Sequence, residues 1–280
     1  MSELQISGKL DSVDYISSKV SYFRQSMRQI LRFLQILYNI YAFVLLFIFA
    51  LILLPIVIIC SFLPKKTSGN LIYKLVRYSA DIILWLIAIR HENIFEAPHD
   101  TNKPSIFVFN HISYLDAIII LKAIRKQHIR GLGKYEIGQI PIMGFIYKQA
   151  VIMVNRSDKA DRARSIIDLK AALSNKISII LAPEGTFNET TNPLLDFFDG
   201  AFRIAIETNT PVKPILFLDT FDRLYYGSSF SLKPGKSRAV FLDEINSNGY
   251  ELKDLPMLKQ VVYNKMESAL IKYKATWIKN

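Results

Sequence analysis

Apolar positions dominate the first third of the chain and recur there with helical spacing. Over residues 20–37, Phe23, Met27, Ile30, Leu31 and Leu34 fall three and four apart, while Arg24, Arg28 and Arg32 repeat every four. That pattern predicts a basic amphipathic helix able to lie on anionic headgroups. No charged residue stands between Arg32 and Lys65, and residues 40–63 are almost wholly apolar. At about 1.5 Å per residue such a helix is long enough to cross about 30 Å of hydrocarbon. Pro55 inside it allows a kinked hairpin dipping into one leaflet. After a break over residues 64–70, residues 71–89 are apolar but carry Lys74, Arg77 and Asp81, with Trp85 near the far end, which predicts a second, interfacial helix. Cations flank the apolar segment equally, with Lys19, Arg24, Arg28 and Arg32 on one side and Lys65, Lys66, Lys74 and Arg77 on the other, so charge asymmetry sets no orientation.

From His91 to Lys103 the chain turns polar, and Pro98 and Pro104 punctuate it. This marks the entry to a second unit, dividing the chain into an anchoring region, 1–90, and a domain, 91–280. In the latter, short runs rich in β-branched and aromatic residues alternate with stretches of helical period. Strands are expected at residues 105–109, 150–154, 177–181, 212–217 and 238–242, and helices near 115–124, 160–173, 201–207 and 258–273. Such alternation predicts an α/β fold, a mostly parallel sheet flanked by helices, with reactive groups at the carboxyl ends of the strands.

Composition agrees with a membrane segment: 51% of the residues are hydrophobic, more than a soluble domain of this size carries. Lys plus Arg exceed Asp plus Glu by 35 to 24, a net charge of +11 that favours anionic partners. The single cysteine, Cys60, excludes an intrachain disulfide and a cysteine-rich metal site. Residues 1–14 are polar and lack the layout of a cleavable signal peptide.

The candidate chemistry centres on residues 105–120, SIFVFNHISYLDAIII, where a buried strand ends just before His111 and an apolar helix follows Ser113. An imidazole, which ordinarily titrates near pH 6.5, can take a proton from an alcohol, and a carboxylate on its second nitrogen fixes the tautomer. Asp116, five positions on, can supply that carboxylate; it can equally be the acidic half of a capping box begun by Ser113. Asn110-His111-x-x-x-x-Asp116 resembles the first block of the glycerolipid acyltransferases. The stretch 134–156, with Lys134, Glu136, Pro141, Gly144 and Arg156, resembles their second block, although Ala150 stands where glycine is usual and Asn155 where an acidic residue is common. Glu184-Gly185-Thr186, in LAPEGTF, resembles the third. Residues 198–202 and 211–215 are similar to the tail of the pattern and are expected to shape the acyl pocket.

The resemblance spans about residues 105–245 and implies roles for the matched positions: His111 as base, Asp116 as its orienting partner, and Lys134, Arg156, Glu184, Gly185 and Thr186 in substrate binding. A guanidinium at a strand end suits Arg156 to a phosphate. Glu184 cannot attract one and is expected to hold backbone or a basic neighbour. The resemblance also implies a membrane-embedded helical pair ahead of the domain. The expected reaction moves a fatty acyl group from acyl-CoA or acyl carrier protein to the hydroxyl of a lysophospholipid, 1-acylglycerol 3-phosphate foremost, with no cofactor or metal. The expected setting is a cytoplasmic membrane with the catalytic domain facing the cytosol. Phe187 follows Glu-Gly-Thr where arginine is frequent, leaving an acceptor with another headgroup open. No Gly-x-Ser-x-Gly, P-loop or dinucleotide pattern is present, and the histidines lack metal-ligand spacing. The rival of another class is a membrane-tethered basic binding protein; charge alone favours it, and no nucleic-acid partner is expected.

Overall fold

The structure, a computed structural model, describes residues 3–279. α1 (Glu3–Ser61) is one continuous helix that carries Pro55 inside it. The chain reverses at residues 62–64, not at Pro55, and α2 (Lys65–Leu86) opens directly behind Pro64. Leaving the helix at Pro55 would strand more backbone groups than the one hydrogen bond proline removes. Pro64 sits just ahead of the first turn, so its ring opposes no helical hydrogen bond there. The break expected over residues 64–70 therefore shrinks to the reversal itself.

Seven strands form a single sheet in the order β1-β7-β6-β2-β5-β3-β4. β2 (Ile106–Phe109), β3 (Ile129–Lys134), β4 (Val151–Val154), β5 (Ser178–Leu181) and β6 (Val212–Phe217) run parallel. β7 (Gly235–Phe241) is antiparallel to β6, and β1 (Ile89–Phe95) pairs in parallel with β7. The sheet is thus mostly parallel, as the alternating pattern predicts. Along β2, Ile106 and Val108 face one core and Phe107 and Phe109 the other, which is why the run reads as continuously apolar. The first core is closed by α5 (Lys159–Ser174), α6 (Gly200–Thr208) and α8 (Leu255–Lys272). The second is closed by α3 (Asp116–Ala123) and by Tyr73, Ile83 and Leu84 of α2. The helix expected to be interfacial is therefore half built into the domain. A third cluster joins Ala50, Leu53 and Val57 of α1 to Ile72 of α2 and Ile146 of α4 (Met143–Ala150).

Several elements differ from expectation, three of them within residues 89–150. The polar stretch after His91 holds β1, an edge strand in which His91, Glu92 and Asn93 have partners: the His91 ring bonds Ser237 and Asn93, Glu92 pairs with Lys236, and Asn93 donates to the Ala123 carbonyl. β3 was hidden by Gly131, Gly133 and the buried Arg130, whose guanidinium bonds Asn70 and the Ile129 carbonyl. The turn-rich stretch after Lys134 is a 3-10 turn, Tyr135–Gln139, followed by α4; a side chain at Gly144 would drive into the Gly138 carbonyl, so this glycine serves close packing.

Candidate active site

The turn after β2 is fixed from several sides. Asn110 is buried, and its amide donates to the Phe217 carbonyl (3.0 Å) and accepts from the Phe217 N–H (2.8 Å), tying the turn to the end of β6. The His111 N–H donates to Glu184 Oε1 at 3.0 Å, and the His111 carbonyl accepts from the Asn188 N–H at 2.8 Å. With its backbone held at both ends, the ring sets Nδ1 2.9 Å from Asp116 Oδ2. That oxygen also accepts from the N–H groups of Ile112 (2.9 Å) and Ser113 (3.0 Å), while Oδ1 has no partner. Ser113 Oγ accepts from the Leu115 N–H at 3.1 Å. Capping and orienting thus coexist: the carboxylate that closes the helix start also carries the imidazole. Asp116 is fully buried and the His111 side chain is 28% exposed, so Nε2 remains as the nitrogen for exchange with a reactant.

Glu184, Gly185 and Thr186 follow β5, the neighbour of β2. The Glu184 carboxyl is buried, holds the His111 N–H with Oε1 and the Leu195 N–H with Oε2 (2.8 Å), and is pushed up to about 7, chiefly by burial, with the Asp116 charge adding to the effect against those two N–H bonds. Backbone, one of the two partners allowed for it, is what it holds. Gly185 has φ +71°, a conformation glycine adopts without strain, and the Phe198 ring lies over it. Arg156, two residues past β4, donates through Nη1 to the Gly185 carbonyl, so the second and third blocks meet. Lys134 ends β3 in register with Val154, and its side chain is exposed, as is that of Thr186. The candidate residues thus sit at or just past the carboxyl ends of β2, β5, β3 and β4, four parallel neighbours. In the stretches expected to shape the acyl pocket, Phe202 and Ile215 are buried in the two cores, and Phe198 lies against Gly185.

An aromatic wall beside the imidazole had no signal in the motif. The Phe187 ring centroid lies 4.3 Å from that of His111 and 4.7 Å from Tyr114, and Tyr226 stacks behind Phe187 at 6.3 Å. Phe109 closes the other side at 5.4 Å. Among the described residues no group of three or more His, Cys, Asp or Glu could hold a metal ion.

A family model described as Acyltransferase matches residues 88–218, from the start of β1 to the end of β6. Among curated proteins, the chain is 26% identical over 171 residues to a 1-acyl-sn-glycerol-3-phosphate acyltransferase of Limnanthes alba, covering 60% of this chain and 59% of that protein. It is 24% identical over 176 residues to the human 1-acyl-sn-glycerol-3-phosphate acyltransferase beta, covering 62% of each. A third relative, the 1-acyl-sn-glycerol-3-phosphate acyltransferase of Helicobacter pylori, is 24% identical over 191 residues, 68% of this chain and 77% of that one. The chain thus spans less than two thirds of the length of the first two. The crystal structure of the 1-acyl-sn-glycerophosphate acyltransferase PlsC from Thermotoga maritima has the same fold: TM-score 0.63 at 21% identity, covering 90% of this chain and 100% of that one. The stretch at residues 88–218, which carries the His111 and Asp116 pair and the Glu184-Gly185-Thr186 turn, is thus similar to an acyltransferase domain and to the 1-acyl-sn-glycerol-3-phosphate acyltransferases among curated proteins.

Proposed function

We propose that this protein is a membrane-bound O-acyltransferase that moves a fatty acyl group from acyl-CoA or acyl carrier protein to the free hydroxyl of 1-acyl-sn-glycerol 3-phosphate, giving phosphatidic acid. The observation that carries the reading is the buried Asp116 carboxylate on His111 Nδ1, at the carboxyl end of a parallel sheet. His111 Nε2 removes the hydroxyl proton as the oxygen attacks the thioester carbonyl, and Asp116 stabilises the imidazolium that forms. The C–S bond then breaks, and the thiolate leaves with the proton held on Nε2. Backbone N–H groups of the surrounding turns suit the transient oxyanion. Arg156, Lys134 and the Gly185-Thr186 turn receive the phosphate, with Glu184 acting on His111 through the backbone.

Residues 1–90 serve as the anchor and residues 91–280 as the catalytic domain. Support comes from α1, the one helix among the described residues long and apolar enough to cross a membrane. The C-terminal part of α1 packs on α2 and α4 through Ala50, Leu53 and Val57, which argues for a helix pair held in one leaflet over a span that leaves the domain behind. Exposed Ile140, Met143 and Phe145, adjoining α1, extend this apolar face. Free acyl carriers are cytosolic, so the domain faces the cytosol. A second acceptor, a lysolipid with a zwitterionic or amino-acid headgroup, is favoured by Phe187, an uncharged ring against the imidazole. Purified protein supplied with acyl-CoA and a panel of lysolipids in vesicles tests both readings: release of free thiol with appearance of diacyl product supports transfer, and the ranking of acceptors chooses between headgroups. Thiol release without diacyl product, or no reaction with any lysolipid, rejects it.

A further inference from the structure

The loop between α7 (Thr220–Arg223) and β7 is closed on itself and clamped at both ends. Its ends meet where the Lys233 N–H donates to the Arg223 carbonyl at 2.7 Å and Arg223 Nη1 to the Pro234 carbonyl, the arrangement of an Ω-loop. Ser113 Oγ, in the turn between His111 and Asp116, donates to the Leu224 carbonyl at 2.6 Å. At the other end Leu232 is bonded twice to one side chain of α1: its N–H donates to Asn39 Oδ1 (3.0 Å), and its carbonyl accepts from Asn39 Nδ2 (3.2 Å). Asn39 is fully buried in the apolar part of α1, a costly place for an amide unless it is paired, and its Nδ2 also donates to the Gln35 carbonyl at 2.6 Å. Phe230 adds an edge-to-face contact with Phe43 of α1 at 5.9 Å. Between the clamps the loop presents Tyr225 and Tyr226, packed at 4.5 Å, and Tyr226 stacks on Phe187, which lies against His111.

Resting on the reaction proposed above, we infer that this loop is a strut that carries the seating of α1 in the membrane to the aromatic wall beside the imidazole, with Asn39 as its positioning residue. A long apolar helix gains nothing for membrane binding from an asparagine, whereas an amide that reads both backbone groups of Leu232 sets the height of the loop on α1 to one register. Tyr226 and Phe187 then stand in one place against His111 when α1 is docked. The lysolipid, held in the same leaflet, meets a wall already set for its reacting hydroxyl.

The test is a double-substitution cycle in the full chain, with Asn39→Ala, Tyr226→Ala and both together. Activity is measured with oleoyl-CoA and 1-oleoyl lysophosphatidate in phosphatidylglycerol vesicles. Each single change lowers kcat/KM about tenfold, and the double change also about tenfold, because both break the same connection. Vesicle pelleting stays near that of the unaltered protein, while the unfolding temperature of Asn39→Ala falls by a few degrees because the Leu232 N–H and carbonyl lose their partner. A double variant down by about a hundredfold, the product of independent losses, or an Asn39→Ala protein with undiminished activity overturns the inference. If Asn39→Ala does not fold, Phe230→Ala takes its place in the cycle. Hydrogen exchange gives a readout that does not depend on the reaction: amides 225–232 exchange faster in Asn39→Ala, and unchanged exchange there overturns the strut. An unaltered protein that acylates no lysolipid rejects the proposed reaction, and the exchange result still decides the clamp.

Discussion

Asp116→Asn separates the two tasks the buried carboxylate performs. Its Oδ2 accepts from His111 Nδ1 and from the N–H groups of Ile112 and Ser113, all within 3.0 Å, while Oδ1 has no partner. An asparagine with its oxygen in the Oδ2 position keeps all three acceptor bonds, and therefore the cap and the tautomer; the reversed rotamer would aim N–H at N–H. What is lost is the charge facing the imidazolium. Two unit charges about 4 Å apart at an effective dielectric of about 20 interact by about 4 kcal/mol. With each decade of rate worth about 1.4 kcal/mol, turnover falls by about three decades, within the two to four decades expected for loss of an orienting or general-base group. The unpartnered amide N–H2 left at the Oδ1 site costs about 1–3 kcal/mol of stability, read as a lowered unfolding temperature in a protein still folded at the assay temperature. The assay is thiol release from saturating acyl-CoA with saturating lysophosphatidate in vesicles. A folded Asp116→Asn protein within tenfold of the unaltered turnover refutes the reasoning and leaves Asp116 as a cap alone.

Glu184 has a folded carboxyl value of about 7 against an ordinary 4.5, so its folded form holds the proton more tightly. Its contribution is fully present below about pH 4.5 and is lost, by roughly 3 kcal/mol, as pH rises to about 7; in Glu184→Gln this slope flattens, as denaturant unfolding between those pH values will record. The same substitution sets an amide N–H2 against the His111 or Leu195 N–H, so it also lowers stability overall. Phe187→Arg replaces the ring against His111 with a guanidinium near the Gly185 turn and raises the efficiency ratio of lysophosphatidate over lysophosphatidylcholine; an already steep preference that the substitution leaves unaltered counts against the phosphate site placed there. Placing carboxylates on the exposed face beside α1 with Ile140→Asp and Phe145→Asp weakens pelleting with phosphatidylglycerol vesicles about tenfold or more, and undiminished pelleting shows that this face stays out of the interface.

What the sequence reveals here follows the range of the interactions involved. β2 and β6 were legible because Ile106–Phe109 and Val212–Phe217 are buried on both faces and read as unbroken apolar runs. β1 and β3 were not: one is an alternating edge strand with partnered polar residues, and the other carries two glycines and a buried arginine paired to α2. α4 was masked by Pro141 and Gly144, residues that mark turns by local rules. In the site, His111 and Asp116 lie five positions apart on one turn, so spacing allowed the pair and the resemblance to the first acyltransferase block singled it out. The contacts that hold this turn and the neighbouring loop span longer separations: Glu184 to His111, Asn110 to Phe217 and Asn39 to Leu232 join residues 73, 107 and 193 positions apart. No local pattern encodes such pairs, and the ring of Phe187 beside the imidazole belongs with them.

The central claim is that the His111 imidazole moves the proton in acyl transfer. Its most direct test is the turnover of His111→Ala, purified, shown to be folded by its unfolding temperature and to pellet with vesicles as the unaltered protein does, in the thiol-release and diacyl-product assay. Asp116 keeps its bonds to Ile112 and Ser113 in that variant, so the turn survives and only the base is removed. The account predicts loss of transfer to the uncatalysed background for every lysolipid tried. Turnover at the unaltered rate in that folded, membrane-bound variant would contradict it.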